Sequence, residues 1–241
     1  MRVYTHIVES GESMAEMGTG AGDARRPACG TGTGAARVDK RVLRSRRVMV
    51  EAFERLLASK RYEDITVTDI AREADVDRKT FYKHFGSIDG LLAYMLDRYV
   101  EEIVDNTHAL LFHNGERIEQ GLDRRLQTFF DVVNVSIMRN ISLNRRVFEC
   151  VPFDLLLSCV KASMHEELRR YGALPREMPE EMVEYCLSFV FGGILSAYRR
   201  WMVSDGDVPI ETVSCAVSAL VTRGIASIEF PGDTSDSILG A

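Results

Sequence analysis

Apolar residues recur at three- and four-residue steps from about Val38 to Ile228, and no alternation lasts long enough to demand a sheet. That period predicts an all-α chain. Met49, Val50, Phe53, Leu56 and Leu57 form one stripe, with Arg44, Arg46 and Arg47 off it. Ile65-Thr66-Val67-Thr68-Asp69 restarts a helix. Thr66 is placed to cap it, and Asp69 is an acidic partner at the helix's positive end. That helix should stop around Ala74-Asp75, and a short one fits Asp77 to Phe85. After a break at Gly86-Ser87, residues Ile88, Leu91, Leu92, Met95, Leu96, Tyr99 and Ile103 mark a long helix. Further helices are predicted from about Gly121 to Arg139, Phe153 to Tyr171, Pro179 to Met202 and Pro209 to Ile228.

A hydrophobic content of 46% and a charged content of 27% exclude a wholly disordered or fibrous protein. The longest nearly uncharged apolar run, Cys186 to Tyr198, falls well short of the ~20 residues a spanning helix needs. Glu9, Glu12 and Glu16 interrupt any apolar core behind Arg2, so no secretory leader is read and a cytoplasmic location, away from membranes, is expected. Cys29, Cys150, Cys159, Cys186 and Cys215 are odd in number, widely spaced and free of C-x-x-C, which predicts buried, reduced thiols and no zinc site, with one solvent-exposed redox-sensing thiol as the alternative. Residues 1–36 are rich in Gly, Ala, Thr and Ser and read as a disordered tail, and 231–241 as a flexible one. Gly30-Thr31-Gly32-Thr33-Gly34 lacks the strand and the Gly-Lys-Ser/Thr ending of a phosphate loop.

Charge is distributed unevenly. The chain carries a net −6, yet residues 37–86 hold about 13 basic against 9 acidic residues and everything after them is acidic on balance. Such asymmetry points to a polyanionic partner for one segment. Helix, short turn and helix across Thr66 to Phe85 have the spacing of a helix-turn-helix. Ala71 supplies the small residue a tight crossing needs, and Val76 and Phe81 can seal the angle. The turn favours a residue tolerant of positive φ, and Asp75 stands there in place of the better-suited glycine. The second helix offers Arg78, Lys79, Thr80, Tyr82, Lys83 and His84, types that suit base edges and phosphates of a major groove.

From Val42 to Met95 the chain resembles the TetR family of bacterial transcription regulators. Ala52-Phe53, Leu56-Leu57, ITVTDIAREADV, RKTFYKHF, Ser87 and Leu91-Leu92 carry the resemblance. It implies a three-helix DNA-binding domain over 37–86, whose third helix enters the major groove, and a homodimer on a palindromic operator. It implies Arg78, Lys79 and Lys83 as base or phosphate readers, Thr80, Tyr82 and His84 as backbone contacts, and Thr66 as a phosphate anchor. Two positions depart from the family's pattern: Asp75 replaces glycine, and Ile88 stands where a phosphate-binding lysine is usual.

Residues 87–230 are expected to form a helical ligand-binding and dimerisation domain. The segment FVFGGILSAYRRWMVSDG, Phe189 to Gly206, resembles regulators of the dihydroxyacetone-kinase type. Adjacent Gly192 and Gly193 cost a helix about 1 kcal/mol each, which close helix approach would explain. Phe189, Ile194, Leu195, Trp201, Val213, Val217 and Leu220 are candidates for an interface through the last two helices, with monomer core as the alternative. Phe129, Phe130, Val133, Met138, Phe148, Phe153 and Met164 could line an effector pocket, although such stripes are more often plain core. His108, His113 and His165 read as surface or capping residues, and His165-Glu166-Glu167 is not H-E-x-x-H. With no catalytic, metal or cofactor set, the expected function is a repressor released from its operator by a small molecule. The alternative is a co-regulator or activator whose helical domain binds a protein.

Overall fold

The computed structural model describes residues 40–113, 116–117, 121–174, 178–204 and 208–226. The chain divides into two compact units, 1–43 and 44–241. The predicted tails, 1–36 and 231–241, lie outside the described residues. The fold is all-α. Nine α-helices occur among the described residues: α1 Lys40–Ser59, α2 Val67–Glu73, α3 Arg78–Phe85, α4 Ile88–Leu111, α5 Leu122–Arg139, α6 Ile141–Cys150, α7 Phe153–Arg170, α8 Glu180–Val203 and α9 Ile210–Ala226. A 3-10 turn, Tyr62–Asp64, follows α1, and two two-residue strands, β1 Phe112–His113 and β2 Glu116–Arg117, pair antiparallel after α4.

The first stripe folds as its period requires. Met49, Ala52, Phe53, Leu56 and Leu57 are buried, with Val50 packed beside them. Below them α4 buries Leu91, Leu92, Leu96, Val100 and Ile103. Helix α4 packs on α7 and α5, α9 on α5 and α8, and α6 and α7 on α8. Between α5, α8 and α9 lies a buried polar triad. The Asn134 amide donates to Ser214 Oγ at 2.9 Å and accepts from the Tyr198 hydroxyl at 2.8 Å. All three residues are 2% exposed or less, so each bond replaces water the groups have lost.

Several expectations are corrected. Helix α6 lies in a stretch where no helix was predicted; Asn140 alone separates it from α5, at φ −138° and ψ 58°, so no glycine or proline marks the corner. Ile194, Leu195 and Val217 belong to the monomer's own core, whereas Phe189 and Leu220 are 82% and 73% exposed. A Cβ on Gly193 would meet nothing within 4 Å, and on Gly192 only the Leu157 side chain at 3.9 Å, so no close approach within the protomer accounts for the glycine pair. Of the pocket candidates, Phe130, Phe148 and Met164 are packed in the core and Met138 is exposed. Cys150, Cys159 and Cys186 are half-buried and Cys215 is exposed, so none of the four described thiols is fully buried.

Candidate nucleic-acid interface

The helix-turn-helix is built from local hydrogen bonds. At the start of α2 the Asp69 amide donates to Thr66 Oγ1 at 3.1 Å, and Asp69 Oδ2 accepts from the Thr66 amide at 3.1 Å. This is a reciprocal capping box. The same carboxylate pairs with Lys60 at 3.0 Å and Arg72 at 2.9 Å. Bonds from the Thr66 hydroxyl, then from Lys60 and the Thr66 amide, hold the Asp69 carboxyl down at about 2.

Helix α2 ends by a left-handed reversal. Asp75 has φ 52°, the sole positive value at a non-glycine among the described residues. Its amide bonds to Arg72 O at 3.3 Å, and the Val76 amide reaches back to Ala71 O at 2.9 Å. Those paired bonds are the Schellman closure, which needs its reversing residue at positive φ. Ala71 is buried, and Val76 packs against the core.

Asp77 caps α3 by accepting from the Lys79 amide at 2.7 Å. Eight residues give a rod about 12 Å long. Phe81 is wholly buried, worth about 1.5–3 kcal/mol, and its ring meets Phe85 at 5.6 Å. Phe85 in turn meets Tyr94 of α4 at 5.4 Å. Anchoring this face turns Arg78, Lys79, Tyr82 and Lys83 outward, and all four are exposed. Thr80 and His84 are half-buried at the rim. Burial, then the nearby Arg46 and Lys83 charges, holds His84 below the usual histidine value.

Charge pairing sets the exposed face of α3 apart from much of its surroundings. Arg47, Arg55, Lys60, Arg61 and Arg72 are each tied to a carboxylate within this domain. Arg78, Lys79 and Lys83 form no ion pair with a described carboxylate. Thr66, also exposed, has already committed its hydroxyl to Asp69 Oδ2 at 2.8 Å. Ile88 packs against the core, which is the use this chain makes of that position.

Residues 50–95 match the model for bacterial regulatory proteins of the tetR family. The chain carries the TetR-family domain. An uncharacterized HTH-type transcriptional regulator of Bacillus subtilis strain 168, YxbF, is 40% identical over 70 residues, 29% of this chain and 18% of that protein. The dhaKLM operon transcriptional activator DhaS of Lactococcus lactis is 28% identical over 67 residues, 28% of this chain and 36% of its own length. The matches thus span well under half of these relatives. The crystal structure of a TetR transcriptional regulator from Rhodococcus sp. RHA1 superposes with a TM-score of 0.53 at 13% identity, covering 78% of this chain and 99% of that one. It shares the fold of the TetR-family domain and of the helices beyond it.

Two features outside this domain were not foreseen from sequence. Arg146 of α6 donates from Nε to Leu57 O at 3.1 Å and from Nη2 to Lys60 O at 3.2 Å, at the end of α1. His165 of α7 lies between Glu180 and Glu184 of α8, 3.3 Å from each, rather than free on the surface. The ligand atoms of those three residues lie within 4.8 Å of one another. Lys161 binds Glu184 at 2.8 Å and Arg169 binds Glu180, so both carboxylates already have cationic partners. Among the described residues no helix is long and apolar enough to cross a membrane.

Proposed function

We propose that this protein regulates transcription in the cytoplasm as a homodimer, repressing from a palindromic operator until a small-molecule effector releases it. The observation that carries this reading is the outward row Arg78, Lys79, Tyr82 and Lys83 on a helix anchored by Phe81, whose three cations pair with no described carboxylate. Arg78 and Lys79, at the N-terminal end of α3, read base edges, and Lys83 neutralises a phosphate. Thr80, Tyr82 and His84 contact the sugar-phosphate backbone, and Thr66, the cap of α2, joins them by exchanging its hydroxyl's bond to Asp69 Oδ2 for a phosphate oxygen. Residues 37–86 form the DNA-binding domain and 87–230 the effector and dimerisation domain. One short helix reads few bases, so a twin on the next half-site, about 34 Å along the duplex, supplies the missing specificity. The exposed Phe189 of α8 and Leu220 of α9 support an interface through the last two helices.

The second reading is an activator or co-regulator whose helical domain engages a protein. It is favoured by the likeness to DhaS, which is named as an activator. Selection of bound duplexes from a random library tests both. A two-fold symmetric site whose half-sites lie one helical turn apart supports the dimeric DNA reader. Enrichment of no sequence by the full-length chain would overturn it. Release of the selected site by small molecules, as against response only to an added protein, separates the two readings.

A further inference from the structure

Arg46 of α1 is held by an aromatic ring rather than by an acid. Its guanidinium lies 5.1 Å over the Tyr94 ring of α4, and it forms no ion pair with a described carboxylate. Its Nε is buried with no hydrogen-bond partner among the described residues. Tyr94 packs on Phe85 at 5.4 Å, and the Phe85 ring lies 6.1 Å from that of His84. Stacking thus brings Arg46 from α1 to the C-terminal rim of α3. His84 registers that approach: after burial, the Arg46 charge disfavours its protonation more than Lys83, its neighbour in sequence, does. No carboxylate counts among the charges acting on His84. A planar guanidinium fork beside an imidazole N–H suits the oxygens of one phosphodiester. Ile88, where a phosphate-binding lysine is usual in the family, is packed against the core, so the start of α4 offers no cation at that position.

We propose that Arg46 and His84 clamp one phosphodiester of the operator backbone between α1 and α3, and that Arg46 supplies the cationic contact this chain lacks at Ile88. Tyr94 is the positioning residue: its ring holds the face of the guanidinium and leaves the donor edges of the fork available. An arginine already paired with a carboxylate would have to break that pair to bind the phosphate, and Arg46 has no such described pair to break. A phosphate contact adds affinity and fixes orientation without reading sequence. The clamp rests on the assignment of α3 as the DNA-reading helix.

Anisotropy across a salt series, on a selected operator and on an unrelated duplex, compares the full-length wild type with Arg46→Gln, Arg46→Lys and Lys83→Ala. Circular dichroism and thermal unfolding accompany each variant. Arg46→Gln should flatten the slope of log affinity against log salt by about one unit and weaken both duplexes by the same factor. Arg46→Lys, which keeps the charge, should keep the wild-type slope. Should the glutamine variant lose helix, Arg46→Met replaces it, because its apolar stem still covers Tyr94. Single methylphosphonate linkages placed in turn along the operator then locate the phosphate. One linkage should weaken wild type and cost Arg46→Gln about threefold less, and His84→Gln should show the same reduced cost at that same linkage. A slope unchanged in the Arg46 variants while Lys83→Ala flattens it would overturn the clamp and leave the DNA reading standing. Different linkages for Arg46 and His84 would also overturn it. Wild type that binds neither duplex would defeat the DNA reading and the clamp together.

Discussion

Asp75 occupies a backbone conformation that costs an L-residue about 1–2 kcal/mol, so the turn between α2 and α3 stores strain that glycine would relieve. Asp75→Gly should raise stability by about 1 kcal/mol, read as a higher urea midpoint with unchanged slope. An unchanged or lowered midpoint would show that the aspartate is not strained. Gly90 is the opposite case: a Cβ there would sit 2.1 Å from Phe85 O. Gly90→Ala should destabilise by about 1–3 kcal/mol, despite alanine's better helix propensity, and chemical denaturation checks it. His84 makes a third residue-scale prediction. Its depressed value leaves it more often neutral near pH 7, and a phosphate contact favours the protonated form. DNA binding should therefore take up a proton, so affinity rises as pH falls from 7.5 to 5.5, more in wild type than in His84→Gln. Equal pH slopes would remove His84 from the phosphate-contacting set.

At the scale of elements, the capping box of α2 carries a pH signature. The depressed Asp69 carboxyl favours the folded state above its ordinary value near 3.8, and that advantage is lost as pH falls towards about 2. Denaturation of wild type and Asp69→Asn should therefore differ at pH 5 and converge near pH 2; a gap independent of pH would contradict the assignment. Thr66→Ala should cost about 1 kcal/mol through the lost cap. The box and the Asp75 reversal were legible in sequence because each is made by residues within a few positions of one another. Helix α6 was not, since its corner is a single asparagine. Nor was the Arg146 clasp on α1, which joins groups 86 and 89 residues apart and uses main-chain acceptors that leave no residue-type signature. Apolar period identified α8 and α9 but could not rank their faces. Both faces carry large apolar residues, and only packing shows that Ile194 and Leu195 turn inward while Phe189 turns out.

For the whole molecule, the account requires two copies and a charged contact with DNA. Phe189→Glu with Leu220→Glu should lower the sedimenting mass to that of one chain while leaving the helical spectrum intact, because both side chains are exposed in the protomer. A dimer that survives both changes would place the interface elsewhere. The central claim concerns the outward cations of α3. Fluorescence anisotropy of a selected operator, measured across a salt series, should show affinity falling steeply with salt for wild type. For Lys79→Ala/Lys83→Ala the slope of log affinity against log salt should be shallower by about one unit, from the phosphate that Lys83 neutralises, with affinity reduced throughout and sequence preference relaxed by the loss of Lys79. Wild-type binding that is weak, insensitive to salt and unaltered in the double variant would contradict the assignment of α3 as the DNA-reading helix.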